Sequence, residues 1–280
     1  MFKAYRSLLL AIVLGFLVAV GAAHAQQTLM ITGSRWLAVS ELSGPVELVT
    51  NGGARRRARS GDRLTNVGDT LMTGRNAAAR LDVDQGTGYI SMAANSQVRI
   101  QTLSITANGG RITELFVPEG RVRLQIRPLT NPDTRLEIHT PAGVSGVRGT
   151  VFGVSVQPNG QTGIATLEGS VTASAQGETV LVAENLQSTI RVGEPPTPPV
   201  PLRDDPTLSI EVLSPIARSR RVRIVGSTDP VNLFELGGEV QVVGIQGQFD
   251  LTVPLPDDRR IEARVTTPLG TEQTYVLVVP

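Results

Sequence analysis

From residue 26 onward, polar and apolar positions alternate along the chain in short runs. In Ala79-Arg80-Leu81-Asp82-Val83-Asp84 the apolar residues Ala79, Leu81 and Val83 share one phase and the charged residues the other. Arg121 to Arg127 repeats the pattern with Val122, Leu124 and Ile126, and Thr134 to His139 repeats it with Leu136 and Ile138. A period of two sends successive side chains to opposite faces, so each run predicts a strand with one face in a core and one in water. Turn signals separate the runs: Asp84 to Gly88, Asn108-Gly109-Gly110, Pro118-Glu119-Gly120, Asn159-Gly160 and Gly237-Gly238. Gly and Asn accept the left-handed backbone that tight hairpins need. Strands of about six residues with a turn signal every ten or so predict an all-β sandwich or barrel.

Pro195, Pro196, Pro198, Pro199 and Pro201 interrupt the pattern. Proline has no N–H to give a ladder, so this stretch cannot be a central strand. It predicts a semi-rigid spacer over residues 194–206. A first β domain is expected over 26–193, with its core at about 41–193, and a second over 207–280. Six strand candidates fall in the second: 209–212, 221–226, 240–243, 247–253, 261–265 and 275–279.

The N-terminus reads as an address. Lys3 and Arg6 precede an uncharged run from Leu8 to Ala23, which ends in Ala23-His24-Ala25. A basic start, an apolar stretch and a small-x-small site predict a secretory signal peptide over 1–25, cut after Ala25. The run is shorter than the roughly twenty residues of a bilayer span; an uncleaved signal anchor is the alternative. The expected location is outside the cytoplasm, in a periplasm or beyond the cell, with no stable membrane span after cleavage.

Composition then removes several chemistries. There is no Cys, so no disulfide, thiol nucleophile, iron–sulfur cluster or Cys-based zinc site exists. Twenty-six basic and 25 acidic residues give a net charge of +1, and aromatic residues make up 4%; neither points to nucleic acid. After the signal, His139 is the single histidine and every basic residue is Arg. A Ser-His-Asp triad would have to use His139, and a catalytic zinc normally needs several His or Cys ligands. The acidic stretch Asp82-Val83-Asp84-Gln85-Gly86 departs from a calcium-loop pattern and is expected to be a hairpin turn. No enzyme activity and no cofactor or metal are expected.

One charge cluster stands out: Arg55, Arg56, Arg57 and Arg59, with Arg63 nearby, between Asn51-Gly52-Gly53 and Gly61-Asp62. It is expected to be a solvated loop, or alternatively a contact for anionic envelope material such as lipid head groups or acidic glycans. Most aromatic residues fall at inward phases; Trp36 is the best aromatic candidate for contact.

Several phrases resemble the FecR domain, an extracytoplasmic module. Gly68-Asp69-Thr70-Leu71-Met72-Thr73-Gly74, continuing through Ala77, Ala79 and Leu81, is similar to its opening block. Thr140-Pro141-Ala142-Gly143, followed by Gly146-Val147-Arg148-Gly149-Thr150-Val151-Phe152, resembles its most specific signature, and Glu168-Gly169 the strand after it. The resemblance covers about 41–193 and implies a sandwich or jelly-roll-like β fold outside the cytoplasm. These signature positions are expected to be structural: Pro141 ends a strand, and Gly143 and Gly146 permit a sharp reversal. Arg148 is expected as a buried or half-buried fork on turn carbonyls or a carboxylate, with a partner contact as the alternative. The family's namesake controls a sigma factor, but only seven residues precede the apolar run here, so that role is not carried over. Residues 207–280 resemble a small bacterial immunoglobulin-like module.

The expected function is therefore a non-enzymatic exported envelope protein, a binding or scaffold module related to signalling, whose partner is an envelope protein or a cell-wall or anionic glycan. A peptidoglycan- or polysaccharide-binding module is one alternative. An envelope signalling component without direct sigma-factor contact is another.

Overall fold

The computed structural model describes residues 35–84 and 86–280. The expected signal peptide lies outside the described residues. All regular structure among them is strand, and no helix there is long and apolar enough to cross a membrane.

The first module holds eighteen strands: β1 (Leu37–Ser43), β2 (Val46–Val49), β3 (Arg55–Arg57), β4 (Arg63–Leu64), β5 (Thr70–Thr73), β6 (Ala78–Val83), β7 (Gly88–Met92), β8 (Gln97–Ile105), β9 (Arg111–Phe116), β10 (Gly120–Ile126), β11 (Arg135–His139), β12 (Val144–Val147), β13 (Val151–Val156), β14 (Thr162–Glu168), β15 (Ser170–Ala175), β16 (Glu178–Ala183), β17 (Leu186–Ile190) and β18 (Val200–Pro201). They form two nine-stranded sheets. One runs β18-β17-β14-β13-β10-β7-β6-β1-β4, the other β16-β15-β12-β11-β9-β8-β5-β2-β3. The chain switches between sheets after one or two strands and so advances steadily from one end of the sandwich to the other. Every pairing is antiparallel except β9–β11, where Ile112 pairs with Arg135.

The alternation predicted from sequence is realised residue by residue. Leu81, Val83, Val122, Leu124, Leu136 and Ile138 are buried in one continuous core between the sheets. Burying an aliphatic side chain of this size contributes about 1.5–3 kcal/mol.

The second module packs β19 (Ser209–Pro215), β20 (Arg221–Ser227) and β23 (Gln248–Pro254) against β21 (Leu233–Leu236), β22 (Glu239–Gln241), β24 (Arg260–Thr266) and β25 (Glu272–Val278). Phe234 and Phe249 stack at its centre, their ring centroids 4.6 Å apart. Strand β21 is the element the pattern did not reveal. Leu233, Phe234 and Leu236 are all buried, so four residues offer no clean alternation to read.

The proline-rich stretch, expected as a spacer, runs along a sheet edge. Val200–Pro201 pairs with Leu186 and Gln187. The Thr197 N–H donates to Thr189 O (2.9 Å) and the Leu202 N–H to Asn185 O (2.8 Å). These two residues supply donors that the intervening prolines lack.

The two modules are docked. Strands β13 and β14 are buried on both faces: Phe152, Val154 and Ile164 point into the core, while Gly153, Ser155, Gly163 and Ala165 face the second module. The Ser155 hydroxyl donates to Val231 O. Gln157 accepts from the Val243 N–H at 3.0 Å and donates to Pro230 O at 3.3 Å. Gln187 donates to both carboxylate oxygens of Asp229 (3.0 and 2.9 Å). A Cβ on Gly163 would stand 2.6 Å from Val231 Cα, so the absence of a side chain there is what lets the modules meet.

Candidate functional site

The arginine cluster is exposed, as expected, but only Arg59 lies in a loop. Arg55–Arg57 forms edge strand β3, paired with β2, and Arg63–Leu64 forms edge strand β4 in the opposite sheet. Arg56 makes a two-point contact with Asp62 at 2.6 and 2.9 Å, and the Arg59 N–H donates to the same carboxylate at 2.7 Å. The hydrogen bond from Arg56, helped by that N–H, holds the Asp62 carboxyl below its usual range. Arg55 lies 3.3 Å from Glu47, and Arg63 covers the Trp36 ring at 4.3 Å. Among the described residues the guanidinium groups of Arg57 and Arg59 have no carboxylate within salt-bridge distance. Five cations thus share two carboxylates at one end of the sandwich, and the edge keeps a positive field.

Trp36 belongs to a wider pattern. Arg80 lies over Tyr89 at 3.8 Å and Arg99 over Phe116 at 4.9 Å. Tyr89 and Phe116 sit half-buried at outward phases, each with one face taken by Arg, so not all aromatics serve the core.

The signature residues build turns. Asp69 is buried and accepts the N–H groups of Asn51, Thr65 and Asn66, each at 2.9 Å. One carboxylate therefore ties the β2–β3 turn to the approach of β5. Gly68 beside it has φ +94°, and a Cβ there would meet Asn51 Oδ1 at 2.6 Å. Gly74 donates its N–H to Pro45 O at 2.9 Å. Thr140 closes the reversal: its N–H donates to Gly143 O (2.8 Å) and its hydroxyl oxygen accepts from Thr162 (2.9 Å), while Pro141 is exposed beside it. Val147, Thr150 and Phe152 are buried.

Arg148 departs from expectation. It is exposed, and among the described residues it forms no side-chain hydrogen bond or ion pair. Gly149 has φ +96°, and a Cβ on it would lie 2.5 Å from Pro128 Cα. The turn presses its glycine against Pro128 and turns Arg148 outward. Glu168 and Gly169 are exposed too, and Gly169 packs against Gly149 O.

His139 sits half-buried on the outer sheet face, its Nε2 3.2 Å from Glu137 Oε2. No hydroxyl is hydrogen-bonded to it among the described residues. Neighbouring Glu114 accepts from Thr102 (2.6 Å) and Arg135 (2.8 Å), and these bonds hold its carboxyl below the ordinary range.

In the acidic stretch Asp82 lies in β6 and Asp84 follows it, between the paired strands β6 and β7, and both carboxylates are taken by arginine. Arg80 reaches Asp82 at 3.0 Å. Asp84, at φ 48°, binds Arg35 (2.7 and 3.1 Å) and lies 3.4 Å from Arg111. Arg35 also donates to Ser104 O, Ile112 O and the Thr113 hydroxyl. Sequence reasoning missed Arg35, and nothing in its local pattern marks it as buried. Among the described residues no three His, Asp or Glu side chains converge as metal ligands do.

A cleft of about 420 Å³ opens between the modules, lined by Arg75, Asn95, Glu235, Gly238, Glu262 and Arg264. Burial raises the Glu235 carboxyl above its ordinary range, against the pull of Arg264.

These features define an all-β protein with a two-layer first module, closed by turn-building glycines and a buried aspartate, and a smaller β module docked on it. Residues 69–172 match the family described as FecR protein. No curated protein matches the sequence. Two crystal structures of a protein from Parabacteroides distasonis, provisionally assigned as an anti-sigma factor, are similar at 13% identity and a TM-score of 0.40. The likeness covers 48% of this chain and 59% of that one. A polysaccharide lyase is similar at 8% identity and a TM-score of 0.20, over 88% of this chain and 40% of that one.

Proposed function

We propose that this protein is an exported, non-enzymatic envelope module related to signalling, which binds an anionic partner, an envelope protein or an acidic cell-wall glycan, through its arginine edge. The observation that supports this most is the β3–β4 end: five guanidinium groups, two facing carboxylates, and Arg57 and Arg59 exposed with no acidic partner among the described residues. Cations on a solvent-facing edge add little to stability, and a field of one sign instead raises the local concentration of polyanions. The FecR domain supports a place in envelope signalling, and the sequence of residues 1–25 supports export. The second module reads as immunoglobulin-like. Its three-on-four antiparallel sandwich supports that, and its dock on the outer face of β13 and β14 suits a holder that fixes the first module's orientation.

The test is co-sedimentation of the purified protein with isolated peptidoglycan and with its attached anionic polymers, across a salt series. Pelleting that weakens with salt and is lost in an Arg57→Ser, Arg59→Ser double variant is expected. Equal pelleting of wild type and variant rules out the arginine edge. Cell fractionation tests export, and recovery in the cytosol overturns it. Turnover of an envelope polymer by the purified protein overturns the non-enzymatic reading.

A further inference from the structure

The first module ends in four sheet edges, and three carry devices that block pairing. Strand β3 is three consecutive arginines, β4 is two residues long, and β18 is two residues, one of them Pro201, preceded by Pro198 and Pro199. Short length, charge and proline are the usual protections of an edge. The fourth edge, β16, is open among the described residues: it is six residues long, has no proline, and its single charge, Glu178, is its first residue. Its residues Thr179-Val180-Leu181-Val182-Ala183 are uncharged and dominated by strand formers, and Leu181 is 57% exposed.

The backbone phase of β16 follows from its turn. Ala175 pairs with Glu178 across a two-residue hairpin, Gln176-Gly177, with φ of 52° and 78°. Left-handed backbone at both positions marks a tight hairpin whose flanking pair is hydrogen-bonded. Hydrogen-bonded pairs alternate along an antiparallel ladder. Glu178, Val180 and Val182 therefore bond to β15, and the N–H and C=O groups of Thr179, Leu181 and Ala183 point to the open edge. The side chains divide the other way: Val182 is fully buried and Val180 packs against the core, while Leu181 stands on the outer face.

We propose that β16 pairs antiparallel with β16 of a second copy of this chain, about a two-fold axis at Leu181. In that register Leu181 lies opposite itself, Val180 opposite Val182, and Thr179 opposite Ala183. Every residue meets one of the same face, and the three outward-pointing residues supply three hydrogen-bonded pairs. Val180, half-covered at the end of the core, gains the partner's Val182 as a neighbour. The strand offers no basic or acidic residue within the paired stretch to select a different partner, and it is complementary to itself. A two-fold contact of this kind closes on a dimer and leaves no further edge of its type. Glu178 falls opposite Glu184 at both exposed ends, so the dimer tightens as salt screens that repulsion.

Sedimentation equilibrium of the purified protein is expected to give a dimer mass that halves in Leu181→Lys, with the far-ultraviolet spectrum and thermal unfolding of a folded chain. Thr179→Lys serves in the same way if the first variant does not fold. Because the chain has no cysteine, Leu181→Cys places a unique thiol, and oxidation is expected to yield covalent dimer. Val276→Cys, equally exposed on β25, is expected to yield none. A wild type that is monomeric at every concentration overturns the proposal, whatever else it binds. So does a dimer that survives both lysine variants, or cross-linking through position 276 in place of 181.

Discussion

Arg35 and Asp84, 49 positions apart, form a two-point ion pair at 2.7 and 3.1 Å with only 5% and 6% of their side chains exposed. The remaining donors of Arg35 are satisfied by two carbonyls and a hydroxyl on strands β8 and β9, so one side chain joins a turn in one sheet to the ladder of the other. Removing one member of a buried, hydrogen-bonded pair leaves the other desolvated and unpaired, at a cost of about 3–5 kcal/mol. Arg35→Met is expected to lower unfolding free energy by about that much in urea titration. A loss below about 1 kcal/mol shows that Arg111 takes over Asp84.

Asp69 carries a comparable burden without a cation. It accepts three backbone N–H groups, and among the described residues no other acceptor is bonded to them. The bonds are part-buried, and each hydrogen bond to a charged group contributes about 1.5–3 kcal/mol. Asp69→Ala is expected to destabilise more than Arg35→Met or to prevent folding. Asp69→Asn retains one acceptor oxygen and is expected to fall between wild type and Ala. Equal stabilities of Asn and Ala variants contradict this.

Docking of the second module rests on small outward residues. Gly163→Val places side-chain atoms where Val231 now lies. Expected is a folded first module with the second released, read as faster tryptic cleavage after Arg203, whose guanidinium lies 3.5 Å from Asp229. Unchanged cleavage shows that the interface accommodates the bulk.

The cleft makes a pH prediction. Burial raises the Glu235 carboxyl, so the folded state holds that proton more tightly than the unfolded chain does. Its stabilising contribution is complete below the unfolded carboxyl range and is lost as pH rises through the raised folded value. Arg264 keeps Glu262 at 3.2 Å and Glu272 at 3.5 Å when Glu235 is neutral. Glu235→Gln is therefore expected to raise the melting temperature at neutral pH and to have little effect in acid. Stabilisation of equal size at both pH values removes burial as the cause.

Much of the fold was legible because alternation is local. Val122, Leu124 and Ile126 declare their face by spacing alone, and Asn108-Gly109-Gly110 declares a turn by backbone preference. Strand β21 escaped because Leu233, Phe234 and Leu236 are buried on both faces and leave no period. The arginine edge was visible as a charge cluster but not as a strand, since three arginines carry no strand preference and β3 exists only because β2 offers it a ladder. Arg148 was misplaced because burial depends on which way its turn faces, and Pro128, twenty residues earlier, decides that.

The amino-acid order alone settled the all-β character, the phase of each long strand, the turn positions and the lack of thiol chemistry, because each depends on neighbours within a few residues. Only the folded structure decided that Arg35 meets Asp84, that the proline stretch lies along an edge, that Gly163 and Ser155 form a dock, and that β16 ends its sheet among the described residues. Those outcomes depend on which strands end up adjacent and how the sheets stack, and distant pairs of this kind leave no trace in local spacing.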